Sequence, residues 1–129
     1  MKKGSTELCP CGSGDALDAC CARWHRTLQA PTAEALMRSR YSAFVLQNEA
    51  YLLATWHPGT RPGSVGFEAG TKWLGLTVKS ACVTGPDRAE VEFVARYRVG
   101  GGSAVRIHER SRFVHEDGRW LYVDGDQIS

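Results

Sequence analysis

Long apolar runs are missing from this chain. No uncharged stretch reaches the roughly 18 residues that a membrane span needs. The opening Met1-Lys2-Lys3-Gly4-Ser5 also lacks the apolar core of a secretory leader. The expectation is a cytoplasmic protein without a membrane segment. An excess of charge is missing too: sixteen Lys and Arg against fourteen Asp and Glu leave +2. Residues 1–30 hold four basic and three acidic residues, so no basic tail precedes the rest. Nucleic-acid binders usually carry a clear basic excess, and its absence argues against that partner. No nucleophile elbow and no phosphate-binding glycine loop occur, so the chain holds no complete catalytic motif. What is present is core material. Of the 129 residues 43% are hydrophobic, with four Trp, four Tyr and four Phe, enough for one domain that folds by itself.

Cysteine is the exception to this even composition. Four of the five, Cys9, Cys11, Cys20 and Cys21, fall within thirteen residues, and Cys82 stands apart. An odd count without a leader argues against a disulfide framework. Pairs one or two residues apart would close strained rings. Four thiolates suit a tetrahedral Zn²⁺, and a full set of protein ligands leaves no open position, so one structural zinc is expected. Four lost protons and one Zn²⁺ would bring the net charge close to zero. Pro10, Gly12 and Gly14 allow a tight knuckle, and Asp15–Ala19 can form the helical turn that delivers Cys20 and Cys21. His25 is a rival fourth ligand. Cys82 alternates with Lys79 and Ala81 and is expected to be a buried, inert thiol.

Beyond Pro31, Thr32 suits a helix N-cap. Leu36, Met37, Tyr41 and Phe44 repeat at helical spacing over about 32–47. Arg40 points along that stripe; it either snorkels at its edge or serves as a pocket cation. A second helix is expected at 48–57, burying Tyr51, Leu52, Leu53 and Trp56, and His57-Pro58-Gly59 ends it. Residues 58–72 read as a long loop, a lid or a plain connector, with a turn of helix near Glu68. Strands follow at about 73–84, 88–99, 104–116 and 119–125. Their short turns, Gly85-Pro86-Asp87, Gly100–Ser103 and Asp117-Gly118, leave no room for crossovers, so the sheet is antiparallel.

Alternation sets the faces. Val91, Phe93, Ala95, Tyr97 and Val99 match Val105, Ile107, Glu109, Ser111 and Phe113 if residue 99 pairs with 105 and 92 with 112. The outer face then carries Glu90, Glu92, Arg96 and Arg98 against Arg106, His108, Arg110 and Arg112. On the inner face Ser111 meets Asp124 and Phe113 meets Tyr122, which makes Glu109 and Asp124 diagonal neighbours beside Tyr97. Buried carboxylates need partners or water. Arg40 and His57 are the natural partners. The group is either a closed ion-pair network or a ligand pocket built from Arg40, Tyr41, Trp56, His57, Tyr97, Glu109, Ser111 and Asp124.

Two resemblances follow from these residues. Cys9-x-Cys11-Gly12-Ser13-Gly14 followed by Cys20-Cys21 resembles the SEC-C zinc motif of small bacterial proteins and of the SecA translocation ATPase. In SecA the motif serves contacts with a chaperone and the ribosome, which implies a protein partner for the knuckle here. Asp15, Ala16 and Asp18 stand where that motif usually has lysines. The order helix, helix, long loop and long hairpins resembles the nuclear transport factor two-like, or SnoaL-like, cone. Leu36–Phe44, Thr55-Trp56-His57-Pro58, Val91-Glu92-Phe93, Glu109–Phe113 and Gly118–Gly125 are similar to the YchJ family of small bacterial proteins. The resemblance implies an α+β protein: a SEC-C knuckle and connector over 1–30, and a cone of helices on a curved antiparallel sheet over 31–129. Some relatives carry a second SEC-C motif at the C-terminus, and Gln127-Ile128-Ser129 offers none, so one zinc is expected. The leading functional expectation is a protein-interaction adaptor, with a small-molecule binder or enzyme using the cone cavity as the alternative. Monomer and homodimer both fit.

Overall fold

The computed structural model describes residues 7–128. The Met1–Ser5 stretch read above, and Ser129, lie outside the described residues. A single 3₁₀ turn, Leu17–Ala19, precedes helices α1 (Cys21–Thr27), α2 (Ala33–Leu46) and α3 (Glu49–Ala54). Four strands follow: β1 (Thr71–Gly85), β2 (Arg88–Val99), β3 (Val105–Glu116) and β4 (Arg119–Gln127). They form one antiparallel meander in the order β1-β2-β3-β4. No described helix is long and apolar enough to cross a membrane.

Local chemistry explains the helix limits. The Thr32 side chain accepts from the Ala35 N–H at 3.0 Å and starts α2. Gln47 takes the left-handed conformation that ends it. Asn48 caps α3 through the Tyr51 N–H at 3.1 Å. Helix α3 is shorter than expected. Residues 55–57 leave it and run beside β4, where the Tyr122 N–H donates to Thr55 and the His57 N–H donates to Tyr122. Helix α1 forms within the 1–30 segment, where only a knuckle and a connector were expected. Seven residues are too few to show a clear period, and this helix is held by packing on α2.

The β2–β3 register is two residues from the expected one: Tyr97 pairs with Val105, and Glu92 with Arg110. An even shift leaves every side chain on its expected face. Asp117 and Gly118 both have positive φ, as a type I′ hairpin requires. A bulge in β3–β4 has a larger effect. Phe113 pairs with Tyr122 as expected, but Arg112 then pairs with Asp124, and Val123 is the extra residue. Ser111 therefore meets Gly125. Asp124 crosses to the outer face, where its carboxylate accepts from Arg112 Nε at 2.6 Å. Cys82 is exposed rather than buried. It lies opposite Glu90, and residues 80–84 of β1 are exposed throughout.

Helix α2 lies over the inner face of the sheet, with Leu36, Met37 and Tyr41 packed into a core shared with Val91, Phe93, Ala95 and Phe113. Losing the cap that starts this helix has a defined effect. Thr32→Ala is expected to cost about 1 kcal/mol and Thr32→Asp almost nothing; urea unfolding of the three proteins measures both.

Candidate metal centre and cone cavity

The knuckle is built by backbone hydrogen bonds that fold residues 7–17 onto themselves. The Cys9 N–H donates to Asp15 at 2.9 Å and the Leu17 N–H to Glu7 at 2.8 Å. Gly12 has φ +83°, where a side chain would be strained. The four cysteines gather as expected: their sulfurs lie within 4.8 Å of one another, and all four residues are buried. Cys11 and Cys20 Sγ are 3.7 Å apart, Cys20 and Cys21 Sγ 4.0 Å. Four sulfurs held 2.3 Å from a tetrahedral Zn²⁺ would be about 3.8 Å apart. The spacing fits a metal, and all four cysteines are free thiols.

Proton chemistry points the same way. Hydrogen bonds from Cys11 and Cys21 hold the Cys9 thiol far below its usual range. Cys21 is pushed far up by its bonds to Cys11 and Cys9 and by burial. Thiols this close and this buried resist losing all their protons, because each new thiolate repels the next. A bound dication removes that repulsion. His25 is no part of the cluster: its Nε2 donates to the Ser39 carbonyl at 2.8 Å and its ring stacks on Tyr51.

The knuckle is docked on the cone. Cys9 Sγ lies 3.4 Å from Ser42 Oγ, and Arg38 Nη1 donates to the Cys11 carbonyl at 3.0 Å. Leu76 of β1 packs against the cysteine cluster. Ser42 and Arg38 belong to α2, whose opposite side reaches the second centre.

That centre is a cavity of about 270 Å³ between α2 and the sheet. Arg40, Tyr41, Trp56, Glu109 and Ser111 line it, as the sequence indicates. Met37, Phe44, Trp73, Phe93, Phe113 and Tyr122 make most of its wall. Three expected members are elsewhere. Asp124 is on the outer face. His57 lies outside the cavity and meets Glu116 at 3.2 Å, because the strand-like 55–57 segment turns it away from the core. Tyr97 borders an adjoining space of about 250 Å³ that shares Phe44, Trp73 and Ile107. The 58–72 loop closes over that adjoining space: Val65 N–H donates to Glu49 at 2.8 Å, and Phe67 meets Phe44 edge-on. Near Glu68 it makes a turn, not a helix.

Arg40 is only 6% exposed. Its Nη1 donates to the Leu52 carbonyl at 2.8 Å and to Thr55 Oγ1 at 2.7 Å. The guanidinium lies over the Trp56 and Tyr122 rings, 4.9 and 4.6 Å from their centroids. Burial pushes it down to about 10, so it remains a cation at neutral pH. Glu109 is held otherwise. Ser111 Oγ donates to it at 2.7 Å, Tyr122 OH at 3.4 Å and Gln127 Nε2 at 3.2 Å. Burial, and then the Glu109 charge, push the Tyr122 hydroxyl up to about 12. On the outer face Glu92 meets His108 and Arg110, while Arg112 meets Asp124 and Asp126. Half of the basic stripe is thus paired.

A helical cone on a four-stranded antiparallel sheet, with a cysteine knuckle before it, defines a metal-motif protein of the nuclear transport factor two-like class. The family described as "YchJ, middle NTF2-like domain" matches residues 32–125, and the SEC-C motif matches residues 6–23. The chain belongs to the YchJ family. A UPF0225 protein of Xanthomonas campestris is 56% identical over 121 residues, covering 92% of this chain and 94% of that protein. One of Bordetella bronchiseptica is 55% identical over 132 residues, covering 98% of each. The solution structure of a SEC-C motif-containing protein from Rhodopseudomonas palustris has a TM-score of 0.81 and 37% identity, covering 94% of this chain and 98% of that one. A crystal structure of a SEC-C motif-containing protein from Psychrobacter arcticus gives 0.79 and 29%, covering 98% and 85%.

Gly125 is the site residue that sequence reasoning passed over. A Cβ there would run into the Glu109 carboxylate; a glycine inside a strand was the available signal. Gly125→Ala is expected to cost about 1 kcal/mol, because the half-buried Glu109 side chain must swing aside and give up a hydrogen bond. Adding Glu109→Ala should return part of that, a coupling that urea unfolding of the double-mutant cycle reads. Additive costs would show that the glycine is not there for the carboxylate.

Proposed function

We propose that this protein is a ligand-binding cone whose N-terminal knuckle is a structural zinc staple. The observation that carries the reading is the cavity between α2 and the sheet, about 270 Å³, aromatic on most sides and polar at Arg40, Glu109 and Ser111. Ligand sites are largely apolar with a few placed polar groups, and this volume is near the lower end of their range. Cys9, Cys11, Cys20 and Cys21 would hold the Zn²⁺. Four thiolates leave no position for substrate, so the metal supplies folding energy rather than chemistry. Docked through Ser42 and Arg38, the knuckle then fixes α2, and with it one wall of the cavity.

A second reading is an adaptor that binds a protein partner through the outer side of the knuckle. It is favoured by Leu8, 67% exposed beside the metal centre, and by the SEC-C motif. Leu8→Glu would then abolish partner capture while leaving metal content unchanged.

Two measurements test the main reading. Native mass spectrometry is expected to show one zinc gained with four protons lost, and Cys11→Ser is expected to lose the metal and lower the melting temperature. A metal-free native protein of equal stability would overturn the staple. Saturation-transfer NMR against neutral, anionic and cationic ring compounds is expected to find a ligand that Ala95→Leu excludes. Silence from all three classes would overturn the cavity reading.

A further inference from the structure

The charge balance of the cavity wall selects among ligands. Arg40 carries five N–H donors. Only Nη1 is engaged, and by two neutral oxygens. Nε and Nη2 donate to no group among the described residues, and no described carboxylate forms an ion pair with the guanidinium. Neither nitrogen is sealed off, for the single sealed, unpartnered side-chain nitrogen or oxygen among the described residues is Trp56 Nε1. Glu109 shares the cavity but is committed to Ser111, Tyr122 and Gln127. The wall thus presents one buried cation with an open edge, which the Glu109 charge reaches through space but not by contact. Stacking on Trp56 and Tyr122 compensates it only in part, since a buried charge without an ionic partner is costly to desolvate.

An anion that enters this site gains what the protein leaves undone. One guanidinium edge matches one carboxylate in two parallel hydrogen bonds. A phosphate dianion fits poorly: among the residues lining the cavity Arg40 is the only cation, and the wall holds no glycine-rich loop to help strip the phosphate of water. Apart from Glu109 and Ser111, the rest of the wall is aromatic and aliphatic, suited to a flat apolar body. We propose that the cavity is a site for a small aromatic monocarboxylate, its carboxylate on the open edge of Arg40 and its ring against Trp73 and Phe93. This rests on the ligand-binding reading above and adds the charge and shape of the ligand.

The test uses calorimetry on the metal-loaded full chain with three probes of one shape: 2-naphthoate, neutral 2-naphthamide and cationic 2-naphthylmethylamine. Naphthoate is expected to bind at least tenfold tighter than the amide, with the amine weakest. Arg40→Gln is expected to remove the preference for naphthoate. Because Arg40 is buried, that variant can fail to fold, so Ala95→Leu, which fills the cavity and leaves Arg40 intact, is the second arm. It is expected to abolish naphthoate binding with the circular dichroism unchanged; Ile107→Phe replaces it if it does not fold. Equal affinity for acid and amide would overturn the carboxylate assignment and leave the cavity reading standing. Naphthoate binding that survives a folded, filled cavity would place the ligand elsewhere and overturn the assignment. Binding of none of the three probes would overturn both.

Discussion

Cys9 Sγ and Ser42 Oγ, 3.4 Å apart, join the knuckle to the middle of α2. That contact brings out a constraint on the whole molecule: α2 is buried on two sides. One side lays Leu36, Met37 and Tyr41 on the sheet. The other offers small side chains. Ser42 lies against the cysteines, and Ser39 hydrogen-bonds the Tyr51 hydroxyl at 2.6 Å. Larger residues at 39 or 42 would push the knuckle or α3 away, because interiors of native density leave no slack. The helix therefore lacks a simple apolar stripe. Its position between knuckle and sheet fixes Arg40 and Tyr41 in the cavity wall.

Arg40 is where this arrangement leaves a charge without a direct ionic partner, Glu109 acting on it only through space. A guanidinium so deeply buried is normally matched by a carboxylate. Here two neutral acceptors and two aromatic faces hold it, while Glu109, on the facing sheet, is tied to its own three donors. Packing alone does not require this. An apolar residue there would avoid the desolvation cost but would leave the Leu52 carbonyl and the Thr55 hydroxyl without this donor.

The readable part of the sequence was the part governed by short-range rules. The cysteine spacing, Thr32 as a cap, the Asp117-Gly118 hairpin and the alternation of β2 and β3 each depend on a few neighbouring residues, and each appears in the structure. The two-residue register slip did no harm because the side-chain period is two. Failures came where tertiary contacts decide. Helix α1 is too short to announce itself. His57 followed its backbone onto β4. Cys82 is exposed because the end of the β1–β2 hairpin is open to solvent. None of these leaves a periodic trace.

The bulge beside Phe113 shows how one backbone irregularity can set the chemistry of a site. In a regular ladder Asp124 would face inward across from Ser111, next to Glu109. Two carboxylates and one arginine would then share the cavity, and the surplus negative charge would repel an anion. The extra residue, Val123, moves Asp124 outward to Arg112, which also holds Asp126 at 2.7 Å. The same slip brings Gly125 opposite Ser111, making room for the Glu109 carboxylate against the strand. One inserted residue thus removes a negative charge from the cavity, folds the remaining one against its wall, and leaves Arg40 as the open charge. The bulge and the unpaired arginine belong to one design: strand irregularity supplies the electrostatics, and the buried helix supplies the cation.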